Sequence, residues 1–206
     1  GGYISVGLRG VLRARGAEVD VYARGHLMHG FDAQMSLALG EAMRAQGIGL
    51  HYQCRVAAMQ RGADGITMDC SAGDKLGPYD QVIWAVGRVP NSENLGLEQA
   101  GVRLDDNGHV LTDTRQNTQV AGVYAIGDVT SRTALTPVAI AAGRKLADRL
   151  FGGQADAFLD YENIPSVVFA HPPLAGVGLS EEDARALPGD AVRCYSSQFT
   201  PMQLAL

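Results

Sequence analysis

Two glycines at the start of the chain have the spacing of a nucleotide-binding turn. In "GGYISV", Gly1 and Gly2 directly precede a predicted helix. Such a turn lets backbone N–H groups approach a pyrophosphate, and the positive end of the helix favours that charge. Gly2 is the candidate close-approach glycine, and Ser5 the candidate small packing residue, of a G-x-G-x-x-[GA] pattern whose first glycine precedes residue 1. An ordinary turn explains two adjacent glycines as well.

A cation follows this turn at the position that distinguishes the two nicotinamide cofactors. Arg24 ends the next predicted strand, "AEVDVYARG", about twenty residues on. An acidic residue there binds a ribose 2′-hydroxyl, whereas a cation suits a 2′-phosphate. If the turn binds a dinucleotide, we therefore expect NADP to be preferred over NAD. A solvated surface arginine is the alternative.

A second candidate site follows the apolar segment "TQVAGVYAI". The segment ends in Gly127 and Asp128, and a helix begins near Pro137. An acidic group at the carboxyl end of a strand can accept hydrogen bonds from ligand hydroxyls, and a glycine lets the ligand pass close to the backbone. Pro137 at a helix start leaves Thr136 and its neighbours presenting amides to an electron-rich edge. Capping of the next turn is the alternative role for Asp128.

The hydrophobic pattern places these residues on alternating helices and strands. In "GGYISVGLRGVLRARG" it predicts an amphipathic helix, with Val6 and Val11 on the apolar side and Arg9 on the polar side. A strand in "AEVDVYARG" and a helix from about Asp32 to Gln46, ended by Gly47, follow, and then another strand. This order is the middle of a βαβ unit whose first strand is absent.

The rest of the chain predicts further short elements. Strands are expected in "GITMDCSAG" and in "KLGPYDQVIWAVG", which finishes in a buried strand, and again in "GHVLTDTRQNTQVAGVYAIGDV", where the last is buried. A helix is expected from about Pro137 to Phe151. A strand, a proline-rich turn, a helix capped by Ser180, a strand in "AVRCYSSQF" and an unfinished element in "TPMQLAL" complete the pattern.

Composition excludes several classes of protein. With 46% hydrophobic and 19% charged residues, the 206-residue chain fits a soluble globular protein. A net charge of -5 argues against a nucleic-acid surface. No apolar run approaches the roughly 20 residues of a spanning helix, so we expect no membrane and a cytoplasmic location. Three scattered cysteines, without CxxC or CxxxxC spacing, predict neither a disulfide framework nor a metal site.

Several long motifs, in order, resemble the glutathione reductase branch of the FAD-dependent pyridine nucleotide–disulfide oxidoreductases. "GGYISV" and the stretch from Arg24 to Asp32 resemble the NADPH domain, "WAVGRVPN" its exit, and "TQVAGVYAIGDV" the second FAD motif. "LTPVAIAAGRKLADRLF" and "NIPSVVFAHPPLAGVGLSEEDA" are more similar to glutathione reductases than to lipoamide dehydrogenases. The resemblance covers nearly the whole chain and implies FAD and NADPH as cofactors.

The resemblance also implies roles for residues near the flavin and the substrate. Asp128, after Gly127, resembles the aspartate that bonds the flavin's ribityl chain, and Thr136 the position whose backbone contacts the flavin ring. Arg144 is similar to an arginine near the glutathione carboxylate, which is a suitable bidentate partner.

On the NADPH side, the resemblance implies a nicotinamide pocket and its lining. Tyr3 and Ile4 fall at that pocket, where the family's tyrosine gates access to the flavin. Gly87 and Arg88 match the Gly-Arg pair that lines the NADPH site.

The chain departs from the family pattern in three respects. Gly7 replaces a glutamate that pairs with a flavin-side lysine, so that ion pair cannot form. The second 2′-phosphate arginine is replaced by His29 or by nothing, so the NADP preference depends mainly on Arg24, helped by His26 or His29. The resemblance places the redox CxxxxC and first FAD motif before residue 1 and the catalytic His-Glu pair after residue 206, so we assign no catalytic residue to this chain.

Together these observations predict an α/β chain in three parts. We expect an incomplete Rossmann-like NADPH domain over residues 1–90, part of an FAD domain over 91–160, and the start of an α+β dimerisation domain over 161–206. The resemblance implies an internal fragment of a homodimeric NADPH-dependent glutathione-disulfide reductase, inactive by itself. The alternatives are a reductase of another disulfide or of a metal ion, and an inactive nucleotide-binding or dimerisation module.

Overall fold

The computed structural model describes residues 1–71, 73–189, 191–199 and 202. Its four α-helices are α1 (Tyr3–Ala14), α2 (Ala33–Ala45), α3 (Thr136–Phe151) and α4 (Glu181–Ala186). Its seven strands are β1 (Asp20–Tyr22), β2 (Gly49–His51), β3 (Val56–Gly62), β4 (Gly65–Cys70), β5 (Lys75–Tyr79), β6 (Ser166–Val168) and β7 (Leu174–Gly176). The chain is therefore of the mixed α/β class, as predicted.

The chain forms two units. The first contains Gly1–Val86 and Pro165–Leu206, and the second contains Gly87–Ile164. Each unit holds one of the two candidate nucleotide sites.

The first unit contains a parallel β–α–β arrangement. Strands β1 and β2 pair in parallel, with Val21 opposite Leu50, and α2 connects them. Helix α2 begins where the Asp32 carboxylate accepts hydrogen bonds from the N–H groups of Gln34 and Met35. It ends before Gly47, whose φ of 76° suits a glycine. The predicted bounds of this helix are confirmed.

An apolar core holds the helices to this strand pair. Helix α1 contributes Val6, and α2 contributes Leu39 and Met43, each at most 3% exposed. Other members of the core are Val21, Ala23, Leu27, Met28, Ile48, Val168, Ala170 and Leu174. This cluster fixes the start of α1 relative to the end of β1.

An antiparallel three-stranded sheet completes the amino-terminal part. Strand β3 pairs with β4 from Val56 opposite Cys70 to Gly62 opposite Gly65, and β4 pairs with β5. The sequence predicted one strand after α2, but the structure has two, β2 and β3. Gln53 separates them with a φ of 60°, a value that interrupts an extended strand.

The carboxy-terminal part of the first unit has a short hairpin and a short helix. Strands β6 and β7 pair antiparallel, and the predicted helix after Ser180 is confirmed as α4. The Ser180 hydroxyl accepts a hydrogen bond from the N–H of Asp183, which is the predicted cap.

The second unit consists largely of loops packed around α3. Helix α3 confirms the helix predicted from about Pro137 and contacts a 3₁₀ turn at Gly127–Val129. Carboxylates organise the loops: Asp105 accepts hydrogen bonds from the N–H groups of Asn107 and His109, and Asp113 from those of Arg115 and Asn117.

Several predicted strands are wrong, and the segment "GHVLTDTRQNTQVAGVYAIGDV" has only isolated bridges in place of its strands. Residues 82–86 form no strand, and Ile83, Trp84 and Val86 are each more than half exposed, because no described segment pairs with them. "TQVAGVYAI" makes only an isolated bridge between Asn117 and Tyr124, and half-buried loop replaces the predicted buried strand. The described residues 191–199 are also without strand pairing. The element predicted in "TPMQLAL" lies, apart from Met202, outside the described residues.

The polar face predicted for α1 is also wrong at one position. Arg9 is 1% exposed and shares the buried face with Val6 and Gly10, at the i, i+3, i+4 spacing of one helix side. Val11, predicted to be apolar-facing, is 55% exposed.

Candidate cofactor sites

The glycine turn at the start of α1 lies against the segment that follows β1. The Met28 N–H donates to the carbonyl of Gly1 at 2.8 Å. A Cβ on Gly1 would lie 3.3 Å from the Ala23 Cβ and 3.1 Å from Leu27 Cδ2. Arg24 directly follows Ala23, so the carboxyl end of β1 and the amino end of α1 meet, as a dinucleotide site requires.

The turn leaves open space where a phosphate would have to approach. Gly2 is the residue before α1, and a Cβ built on it would meet no atom within 4 Å. The Ser5 hydroxyl donates to the Gly2 carbonyl at 2.9 Å and so holds the first turn of the helix closed. Arg24 is exposed, and its guanidinium makes no hydrogen bond or ion pair with the described residues. The residues present fit the phosphates of a dinucleotide.

The two residues predicted for the nicotinamide pocket lie at the mouth of this turn. Tyr3 is 39% exposed and Ile4 is 47% exposed. The Tyr3 ring contacts Phe31 edge to face, with centroids 5.8 Å apart. Tyr3 is therefore held from one side while its other side stays accessible.

The two histidines near Arg24 differ in their surroundings. His26 is exposed and lies beside the Tyr52 ring, at a centroid distance of 6.5 Å. His29 is exposed and belongs to an isolated bridge with Phe31. Both belong to the loop that follows Arg24.

The second candidate site lies in the other unit, at the junction of the 3₁₀ turn and α3. Gly127 has a φ of 71°, and a Cβ there would lie 3.1 Å from the Cβ of Ala139 on α3. The Thr130 hydroxyl and N–H both donate to the Gly127 carbonyl, at 2.8 and 3.0 Å. Glycine is needed at this point both for its conformation and for its lack of a side chain.

Asp128 and Thr136 flank this junction and remain accessible. The Asp128 carboxylate is exposed and makes no hydrogen bond or ion pair with the described residues. It therefore does not cap a turn, which was the alternative interpretation. Thr136 is the first residue of α3, directly before Pro137, and is exposed. An open carboxylate beside a close-packed glycine and a helix start fits a polyhydroxylated ligand chain.

The remaining predicted residues also belong to the second unit. Gly87 has a φ of 149°, and Arg88 lines an open cleft of about 480 Å³ with Glu93 and His109. Arg144 is exposed on α3, where its guanidinium makes no hydrogen bond or ion pair with the described residues. The predicted NADPH residues are thus divided: Gly2, Tyr3, Ile4 and Arg24 lie in one unit, and Gly87 and Arg88 in the other.

Sequence reasoning missed a polar cluster on β1, β2 and β5. The Tyr79 hydroxyl donates to Asp20 Oδ2 at 3.0 Å and interacts with the Tyr22 hydroxyl at 2.5 Å. His51 stacks on Tyr22 and approaches Asp20 Oδ1 at 3.2 Å. Burial raises the pKa of Tyr79, and its hydrogen bonds with Tyr22 and Asp20 act in the same direction. The period-two spacing of Asp20 and Tyr22 was the available signal.

Sequence reasoning also missed the proximity of two cysteines. Cys54 and Cys70 are 9% and 5% exposed, and Cys70 influences the Cys54 thiol through a hydrogen bond. The β3–β4 register, which the sequence did not define, places Cys70 opposite Val56, two residues after Cys54. Cys194 is exposed.

The described residues contain neither a membrane-spanning helix nor a metal-binding cluster. Among them, no helix has the length and apolarity needed to cross a bilayer. Within the same part of the chain, no group of three or more His, Cys, Asp or Glu side chains is arranged to hold a metal ion.

A parallel β–α–β arrangement with an open glycine turn, together with a second glycine-acid junction, defines a dinucleotide-binding protein of the mixed α/β class. The family model "pyridine nucleotide-disulphide oxidoreductase" matches residues 1–143, and the model of that family's dimerisation domain matches residues 164–206. The chain belongs to the pyridine nucleotide-disulphide oxidoreductase family.

Individual relatives support this assignment. The chain is 40% identical to a glutathione reductase from Burkholderia cepacia and 38% identical to one from Schizosaccharomyces pombe, in each case over 100% of this chain and 45% of the relative. The Cu(II) complex of the HOCl-induced flavoprotein disulfide reductase RclA from Escherichia coli superimposes with a TM-score of 0.83 at 26% identity, covering 91% of this chain and 43% of that one. The chain thus spans about half the length of the curated relatives that it matches.

The family and these relatives imply FAD and NAD(P)H as cofactors, as predicted. The glycine turn at the start of α1 and the junction at Gly127 and Asp128 are the candidate sites for binding these cofactors.

Proposed function

We propose that this chain is part of an NADPH-dependent, FAD-containing glutathione-disulfide reductase. The observation that supports it most is the contact of the Gly1–Gly2 turn with Ala23 and Leu27, since Arg24 then follows beside an open helix start. A cation there favours the 2′-phosphate of NADPH over the 2′-hydroxyl of NADH. The relatives named glutathione reductase make glutathione disulfide the first substrate to test.

Each site has its own task in this proposal. Gly2 and the N–H groups of the first turn of α1 bind the pyrophosphate of NADPH, Arg24 binds the 2′-phosphate, and Tyr3 with Ile4 covers the nicotinamide. Gly87 and Arg88 are assigned to NADPH binding by the resemblance of their Gly-Arg pair to that of the family. The bound FAD supplies the electron transfer between NADPH and a disulfide.

In the second unit, Asp128 accepts hydrogen bonds from the hydroxyls of the flavin's ribityl chain. Gly127 lets that chain pass close to the backbone, and the amide at Thr136 contacts the ring edge. Arg144 binds a glutathione carboxylate, for which a planar guanidinium is a suitable bidentate partner.

The substrate assignment is tested by Arg144→Ala in the complete protein purified with FAD. We expect KM for glutathione disulfide to rise about tenfold, the loss of one charge-assisted hydrogen bond, with kcat nearly unchanged. Lys145→Ala is the matched control, because it removes the neighbouring exposed cation of the same helix. Equal KM values for Arg144→Ala and the parent protein would show that Arg144 does not bind glutathione disulfide.

A second candidate function is reduction of another disulfide or of a metal ion. The likeness to a flavoprotein disulfide reductase whose structure is a Cu(II) complex favours this alternative. This alternative ranks second because the chain is 26% identical to that reductase and 40% identical to the Burkholderia cepacia glutathione reductase. Turnover with Cu(II) or another disulfide, and none with glutathione disulfide, would reverse the order.

The alternative that involves no catalysis is a nucleotide-binding or dimerisation module. Titration calorimetry on the 206-residue chain separates it from a fragment, since a self-standing module binds NADPH and a cut fragment does not. The match of residues 164–206 to a dimerisation domain supports a homodimer. A cytoplasmic location remains a prediction.

A further inference from the structure

Two thiols lie near each other where the β2–β3 connection passes the end of β4. The Cys54 N–H donates to the Ala23 carbonyl at 3.3 Å, which fixes the connection beside β1. The Ser71 N–H donates to the Arg55 carbonyl at 2.8 Å. Cys54 and Cys70 therefore flank a backbone hydrogen bond, each one residue away from it.

The β3–β4 register and the alternation of burial before β3 together place both side chains on the same buried side. Val56 is the direct partner of Cys70 in the antiparallel β3–β4 pair, so these two side chains point the same way. Cys54 precedes Val56 by two residues in the connection before β3, where Cys54 is buried, Arg55 is exposed and Val56 is half-buried. Both cysteines are nearly buried on that face, at 9% and 5% exposure.

Their surroundings keep Cys54 protonated at neutral pH. Burial raises the pKa of the Cys54 thiol to about 11, and a hydrogen bond with the Cys70 thiol contributes in the same direction. Because the thiolate is the attacking species, exchange at this pair is slow and accelerates as pH rises.

We propose that Cys54 and Cys70 are a site of reversible disulfide formation by exchange with a small disulfide such as glutathione disulfide. The Cys54 sulfur attacks glutathione disulfide, which forms a mixed disulfide and releases one glutathione thiol. The Cys70 sulfur then displaces the second glutathione and closes the Cys54–Cys70 bond. Two protein thiols are oxidised, one glutathione disulfide is reduced, and each thiol proton leaves on a glutathione.

The Cys54–Cys70 disulfide covalently links two segments that are otherwise held together by noncovalent contacts alone. The bond closes a loop that contains all of β3 and most of β4, and it ties the connection bonded to Ala23 to the end of the β-hairpin. The site needs no turnover by the enzyme and is independent of the proposed function.

The test incubates the complete protein, without NADPH, with glutathione disulfide at mildly alkaline pH and then blocks the remaining thiols by alkylation. Trypsin cuts after Arg44, Arg55, Arg61 and Lys75 and so places the two cysteines in separate peptides, 45–55 and 62–75. We expect a linked peptide pair two hydrogens lighter than the sum of its parts, which dithiothreitol resolves.

A Cys194→Ser variant should form the same linked pair, because the exposed Cys194 is not part of the site. Cys54→Ser and Cys70→Ser should each lose the pair and leave at most a glutathione adduct. The parent protein suffices if either variant fails to fold. Full alkylation of both cysteines in the parent protein, or only glutathione adducts on them, after prolonged incubation at that pH would overturn the proposal.

Discussion

At the scale of single residues, the proposed function assigns the choice between the two nicotinamide cofactors to Arg24. It is an exposed guanidinium with no protein partner among the described residues, beside the open turn at Gly2. In the complete protein, Arg24→Gln should weaken NADPH binding roughly 10- to 100-fold, the loss of a charge-assisted contact, and leave NADH binding unchanged. Titration calorimetry with both nucleotides measures this. Arg61→Gln, which removes an exposed cation from β3, is the control, and an equal loss for NADH would contradict the assignment.

Arg9 is the residue at which the sequence pattern failed most clearly. It is 1% exposed, and none of its three guanidinium nitrogens has a hydrogen-bond partner among the described residues. Burial lowers its pKa, since desolvation disfavours the charged form.

Replacing Arg9 should therefore relieve a cost. Arg9→Met in the complete protein should stabilise the fold by about 1 to 3 kcal/mol, the cost of unsatisfied buried polar groups, and so raise the thermal unfolding midpoint. Arg15→Met, at an exposed position after α1, should have little effect. A lower midpoint for Arg9→Met would mean that an acceptor outside the described residues pairs with it.

At the scale of elements, the junction between the 3₁₀ turn and α3 depends on Gly127. Alanine there must adopt a φ of 71° and place its Cβ 3.1 Å from Ala139. Gly127→Ala should lower the thermal unfolding midpoint and the FAD content of the purified protein. Gly122→Ala is a matched control, because Gly122 has a φ of 78° but open space around it. The Gly122→Ala variant is therefore destabilised only by the cost of a left-handed conformation for alanine, about 1 to 2 kcal/mol. If the two variants behave alike, the close contact with α3 has no role.

Helix α2 makes stability depend on pH through its cap. Hydrogen bonds from the N–H groups of Glu181, Gln34 and Met35 lower the pKa of Asp32. A depressed carboxyl pKa contributes stability above the unfolded value, roughly 3.9, and this is lost as pH falls through the folded value. Asp32→Asn keeps a capping oxygen without the charge, so its thermal midpoint should fall less steeply than that of the parent between roughly pH 5 and pH 2. Asp64→Asn, in the exposed β3–β4 turn, should follow the parent curve.

Local signals predicted the helices well and the strands less well. The Asp32 and Ser180 caps, the Gly47 stop and Pro137 at a helix start act within a few residues, so the sequence defines them. A strand needs a partner that is distant in the chain. Residues 82–86 have an apolar strand pattern but no described partner, and the pattern alone did not produce a strand.

At the scale of the whole molecule, the residues of the candidate sites could be predicted, but their groupings could not. Gly2 and Arg24 were predicted as one site from their spacing, and they belong to one unit. The Tyr22–Tyr79 and Cys54–Cys70 pairs depend on strand pairing and register, which one-dimensional patterns do not define. The glutathione disulfide substrate was inferred from resemblance and not from any geometry of this chain.

The most direct test of the proposed function is steady-state turnover of the complete, FAD-containing protein. NADPH oxidation is followed with glutathione disulfide, with other disulfides and with Cu(II), each also with NADH. We expect glutathione disulfide with NADPH to give the highest kcat/KM. A higher kcat/KM for another acceptor, or for NADH, would contradict the proposed function.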